Sequence, residues 1–169
     1  MFIIDRLYRD ELLPAAAAEF AEDTITLGWE DRQKGHARRR TDQGVEFGLS
    51  LPPGVTLQEG DRLVLEPPQR VVRVREAEEE VFVIRPATPQ AWAWNAYHIG
   101  NRHQPLMISD EELICPRVPG VEQLLDQLRI PYAAARRRFT PAIARVGHDH
   151  DREHAHVRPQ GDGRRHRHD

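Results

Sequence analysis

Six of the nine histidines lie in the last 22 residues, arranged as three His-x-His pairs: His148 with His150, His154 with His156, and His166 with His168. Neutral imidazole is a borderline ligand that suits nickel, zinc, copper and cobalt, and paired imidazoles on a flexible chain can close around an ion without a prebuilt cage. Asp149, Asp151 and Glu153 sit among the first two pairs and can add oxygen ligands or offset the repulsion of gathered cations. A solubilising tail with incidental histidines is the plainer alternative. A purification tag would present an unbroken histidine run, which this segment does not, and its composition favours metal binding. Free imidazole titrates at a pKa of about 6.5, so an all-histidine site loses its ion as the pH falls below neutrality.

A second pair, His98 and His103, brackets the stretch His-Ile-Gly-Asn-Arg-His. Five positions along a continuous helix turn a side chain by about 140°, so the two rings cannot share an ion while the helix is unbroken. With Gly100 as the stop signal, His98 stays on the last helical turn as a packed or helix-end residue, and His103 swings onto the following loop. Cys115 follows Ile114 and has no partner cysteine, so it reads as a small buried strand residue rather than a thiolate ligand. Arg38 to Arg40 read as a solvated strand edge. The chain contains no His-Glu-x-x-His helix, no glycine-rich phosphate loop and no Gly-x-Ser-x-Gly elbow, and no enzymatic activity is expected of it.

The elements that must position these residues fall into two groups. Residues 1–75 read as a small all-β domain of short strands and turns: Asp23 to Gln33 with Ile25, Leu27 and Trp29 alternating, then the runs His-Ala-Arg-Arg-Arg, Val-Glu-Phe-Gly-Leu-Ser-Leu, Asp-Arg-Leu-Val-Leu-Glu and Arg-Val-Val-Arg-Val-Arg. The alanine run at 15–18 has helical propensity but is short. In residues 76–145 the rhythm lengthens to strand, helix, strand, strand, helix, strand, with Thr88 as N-cap and Pro89 opening the first helix, and Val121, Leu124, Leu125 and Leu128 on one face of the second. That β-α-β-β-α-β order is the ferredoxin-like arrangement, two helices on one face of a four-stranded antiparallel sheet. In residues 146–169 apolar side chains nearly vanish, and a disordered His-rich tail is expected. The predicted fold class is thus α+β.

Composition limits the partners. The formal net charge is −3, from 24 basic and 27 acidic residues, which leaves no strong positive field for a nucleic acid backbone. Asp5 and Arg6 break the N-terminal apolar run far short of a signal-peptide core or membrane span, and the single cysteine suits a reducing compartment. A cytoplasmic protein with neither nucleic acid nor membrane as partner is expected.

Several stretches together resemble a known family. They are Ala-Tyr-His-Ile-Gly-Asn-Arg-His-Gln-Pro-Leu at a helix-to-strand junction, the segment Thr26 to Gly54, Leu-Gln-Glu-Gly-Asp-Arg-Leu-Val-Leu-Glu after it, Arg-Phe-Thr-Pro-Ala near residue 140, and the histidine-rich end. The chain resembles UreE, the urease accessory proteins that act as nickel metallochaperones. The resemblance implies an N-terminal domain for partner or peptide binding and a C-terminal domain that dimerises and binds metal. By the same resemblance His103 matches the metal-binding histidine shared between two copies, with His148 and His150 where the family completes that site. It also implies nickel as the physiological ion, with zinc or copper possible in vitro, and urease apoprotein and accessory proteins including the GTPase UreG as partners of the homodimer. Arg117 and Pro119 stand where other members can carry histidine or acidic residues, so no secondary site is expected there. A passive nickel or zinc buffer built on the tail, and a peptide-binding scaffold with a structural His103, are the competing readings.

Overall fold

The computed structural model describes residues 2–9 and 12–142. The expected tail, with His148, His150, His154, His156, His166 and His168, lies outside these residues.

The first half forms two three-stranded sheets around one core. Strands β1 (Ile3–Ile4), β4 (Glu46–Ser50) and β3 (His36–Arg40) make one sheet in the order β1-β4-β3, and β2 (Ala21–Leu27), β6 (Arg70–Glu76) and β5 (Arg62–Leu65) make the other in the order β2-β6-β5. Alternation builds much of this core, because inward residues such as Ile25, Phe47, Leu63, Val72 and Val74 are almost wholly buried while Thr26, Glu46, Arg73 and Arg75 are exposed. Each such burial contributes about 1.5–3 kcal/mol. The alanine run forms a short 3-10 helix, Ala15–Glu19.

Two sequence expectations are corrected here. Trp29 does not extend β2, since a five-residue helix α1 (Trp29–Gln33) begins immediately after Gly28. Its N-terminus has no side-chain cap of its own, and the Glu79 carboxylate, from the second half of the chain, accepts the Trp29 N–H at 3.0 Å. Tertiary context therefore overrides the local alternation. Nor are all three arginines of β3 solvated: Arg39 is largely buried and donates to Asp31, while Arg38 and Arg40 remain exposed. Hydrogen bonds from Lys34 and Arg39 hold the Asp31 carboxyl below its ordinary value of 3.8.

The second half is the α+β unit that the order of elements predicts. Strands β7 (Glu78–Ile84), β8 (Met107–Ile108), β9 (Leu113–Pro116) and β10 (Ala133–Arg138) form an antiparallel sheet in the order β10-β7-β9-β8, with helices α2 (Pro89–Gly100) and α3 (Pro119–Gln127) in the connections. Phe82, Ile84, Leu113 and Cys115 point to the helices and pack with Ile99, Val121, Leu124 and Leu125. The opposite face is not left to solvent. Val81, Val83 and Ile114 cluster with Phe139, and Trp29 of the first half lies edge-on to the Phe139 ring at 5.8 Å. Both faces of β7 are thus buried, which is why its last four residues read as an unbroken apolar run. The acidic residues Glu78, Glu79 and Glu80 stand in register with Arg138, Arg137 and Arg136 on β10. Of these, Glu80 and Arg136 pair at 3.4 Å, while Arg137 reaches Glu112 and Arg138 reaches Glu59, and exposed pairs of this kind contribute little each.

Arg32 fastens the two halves together. It is 2% exposed, and its guanidinium meets the Glu76 carboxylate at 2.8 Å, the Phe139 carbonyl at 2.6 Å and the Thr140 hydroxyl at 3.2 Å. A buried guanidinium needs such a set of acceptors to offset the loss of water.

Candidate metal centre

Helix α2 carries the motif to its place. Thr88 caps it, its hydroxyl accepting the Ala91 N–H at 3.1 Å, and Pro89 occupies the first turn as the sequence indicates. At the other end the helix stops at Gly100, as expected, and His103 lies on the loop that follows. Gly100 is the last helical residue rather than the left-handed stop, with open space where its Cβ would be, and the chain turns through Asn101 and Arg102. The left-handed position falls on His103, at φ +55°. The tightening bonds that produce this are Arg102 N–H to Ile99 C=O at 3.1 Å and His103 N–H to Gly100 C=O at 2.8 Å. Buried Ile99 anchors the turn from below.

A side chain at positive φ costs energy that glycine would avoid, although histidine tolerates it better than most residues. Such a cost at an exposed imidazole points to a use for the side chain. His103 is solvent-exposed on the loop. His98 takes the packed role. Its ring lies edge-on to Trp94 at 4.3 Å and to Tyr97 at 5.2 Å, and its Nε2 is buried with no hydrogen-bond partner. The structure does not bring the two imidazoles into one ligand set. Among the described residues no group of three or more histidine, cysteine or acidic side chains could hold an ion.

Cys115 is excluded as a ligand by its surroundings. It is fully buried on β9, and burial pushes its thiol up to about 12, so the thiolate needed for coordination is suppressed.

A feature with no sequence signal lies beside His103. The Ala142 N–H donates to the Leu106 carbonyl at 2.8 Å, and the Thr140 N–H points to the Met107 sulfur at 3.5 Å. The last described residues are thereby rooted on the loop that carries His103. His148 is six residues beyond Ala142, a span of at most about 20 Å when extended, and Leu106 is three residues from His103. No helix among the described residues is long and apolar enough to cross a membrane.

Comparison with known proteins identifies the family. Residues 5–77 match the family described as UreE urease accessory protein, N-terminal domain, and residues 79–169 match its C-terminal domain. The chain is 37% identical over 153 residues to the urease accessory protein UreE of Citrobacter koseri, covering 89% of this chain and 99% of that protein. It is 34% identical over 126 residues to the protein of the same name from Lysinibacillus sphaericus (75% and 84%), and 33% identical over 129 residues to that of Geobacillus kaustophilus (76% and 86%). With both domain profiles matched in chain order, and relatives aligned along most of their own length, the chain belongs to the UreE family of urease accessory proteins.

Proposed function

We propose that this protein is a cytoplasmic, non-enzymatic nickel metallochaperone of urease maturation. It acts as a homodimer in which two copies of His103 share one ion, and His148 and His150 complete the coordination. The remaining tail histidines, His154, His156, His166 and His168, gather further ions. In this reading residues 1–75 meet partner proteins, residues 76–145 dimerise and hold the shared ion, and residues 146–169 form the auxiliary metal-binding tail. The partners are urease apoprotein and the accessory proteins that load it, the GTPase UreG among them.

The observation that carries this reading is the left-handed, exposed His103 on the loop to which Ala142, the last described residue, is tied through Leu106. A single imidazole holds an ion weakly, and two related by a twofold axis leave coordination positions open to water or tail donors. That arrangement retains the ion yet leaves it reachable for transfer. Tethered tail donors raise the local ligand concentration without building a closed cage. The exposed aromatic side chains of Trp94 and Tyr97, on the same helix as the motif, suit association of copies through this domain.

Equilibrium dialysis with nickel, combined with sedimentation, tests the proposal on the full chain, on a chain lacking residues 148–169, and on His103→Ala. The truncated chain keeps one ion per dimer, held less tightly without His148 and His150, and the His103→Ala form loses it. A truncated chain that binds no nickel, with capacity residing wholly in the tail, would establish the passive buffer instead.

A further inference from the structure

Residues 139–142 touch both the contact between the two halves and the loop that carries His103. On one side they meet the first half. The Phe139 carbonyl accepts from buried Arg32 at 2.6 Å, and the Thr140 hydroxyl accepts from the same guanidinium at 3.2 Å and donates to the Glu76 carboxylate at 3.0 Å. The Phe139 ring is buried with Val81, Val83 and Ile114 and lies edge-on to Trp29. On the other side the Thr140 N–H points to the Met107 sulfur at 3.5 Å, and the Ala142 N–H donates to the Leu106 carbonyl at 2.8 Å. Leu106 and Met107 close the loop that starts at His103, and the fixed φ of Pro105 leaves that loop little slack.

Two features make this more than a chain of contacts. β8 is a two-residue strand at the sheet edge, so the bonds from Thr140 and Ala142 are a large share of what fixes Leu106 and Met107. The Nε of Arg32 is buried without a partner among the described residues, so the clamp between the halves is incompletely satisfied and opens at lower cost than a fully bonded one. A shared ion needs each imidazole held to within about 0.5 Å, and a shift of Leu106 is therefore felt as lost affinity. We propose that residues 139–142 couple the hold on nickel to the closure of the two halves, with Thr140 as a positioning residue. While Arg32, Glu76 and Thr140 are engaged the His103 loop is fixed and the ion is held, and a partner that parts the halves loosens it. This inference rests on the reading of His103 as the shared ligand. Linkage makes the effect reciprocal, so the ion favours the closed clamp by the same factor.

The test compares the full chain with Thr140→Val, Ala142→Pro and His103→Ala. Thr140 and Ala142 are both exposed, so their variants should fold; the first loses the hydroxyl of the clamp and the second the N–H that reaches Leu106. Competition with a chelator at less than one nickel per dimer reads the tightest site, and a loss of about five- to tenfold is expected in each. Hydrogen exchange of the Trp29 amide, which donates across the halves to Glu79, reads the far end by mass spectrometry. One nickel per dimer should slow that exchange by about the same factor in the parent and leave it unchanged in Ala142→Pro. A tight site that survives His103→Ala would sink the metal reading and this proposal with it. Where His103→Ala loses the ion, nickel binding in Thr140→Val and Ala142→Pro as tight as in the parent overturns the coupling alone. So does Trp29 exchange in the parent that does not respond to nickel.

Discussion

Replacing His103 by glycine separates what that residue does for the fold from what it does for the ion. At φ +55° an L-residue carries about 1–2 kcal/mol of conformational cost. Glycine removes the cost but makes the unfolded chain freer by about 0.4–1 kcal/mol. The His103 side chain is exposed and accepts or donates no hydrogen bond among the described residues, so little packing is lost with it. The net expectation is a gain of about 0.5–1 kcal/mol, which for a chain of this size raises the melting temperature by about 1–4 °C. His103→Ala keeps the positive-φ cost and should melt at or slightly below the parent. Both substitutions should abolish the tight nickel site. Calorimetry of the metal-free proteins, followed by nickel titration, reads the two effects separately. Were glycine and alanine to lower stability equally, the backbone argument would be refuted. Were either variant to retain the tight ion, His103 would not be the shared ligand.

Other consequences follow from the same coordinates. The Cys115 thiol should resist alkylation at about pH 8 until the protein unfolds, and rapid modification of the native protein would contradict its burial. Its folded value of about 12 exceeds the ordinary 9.0, so this group stabilises fully below pH 9.0 and loses that contribution as the pH rises toward 12. A Cys115→Ala chain should therefore show a flatter alkaline limb in pH-dependent denaturation. Arg32→Met leaves Glu76 and the Phe139 carbonyl without their buried donor, a loss of about 3 kcal/mol or more and roughly 6–12 °C in thermal melts. A melting temperature unchanged by that substitution would mean that the two halves are not held by this contact. Gly28→Ala would bring a Cβ to 2.7 Å from the Glu79 carboxylate that caps α1, and a loss of about 1 kcal/mol in urea unfolding is expected.

Much of the architecture was legible because it rests on short-range pattern. The β-α-β-β-α-β order, the Thr88 cap and Pro89 start of α2, and the buried face of α3 all follow from apolar spacing and end signals within a few residues. Trp29 was misread because alternation alone cannot report that a carboxylate fifty residues away will cap a helix there. Gly100 ends α2 where the sequence places the stop, but that the left-handed position falls three residues later, on His103, is not marked by any local signal.

Residue chemistry by itself determined where the imidazoles gather along the chain, that Cys115 has no cysteine partner, and that His98 and His103 cannot share an ion along one helix. Only the tertiary structure decided that His103 takes the left-handed position, that Ala142 bonds to Leu106, and that Arg32 is buried against Glu76 and the Phe139 carbonyl. The physical reason is range. Propensity and periodicity act over one or two turns, whereas these juxtapositions arise when separate elements close over a common core and their side chains meet across long stretches of sequence.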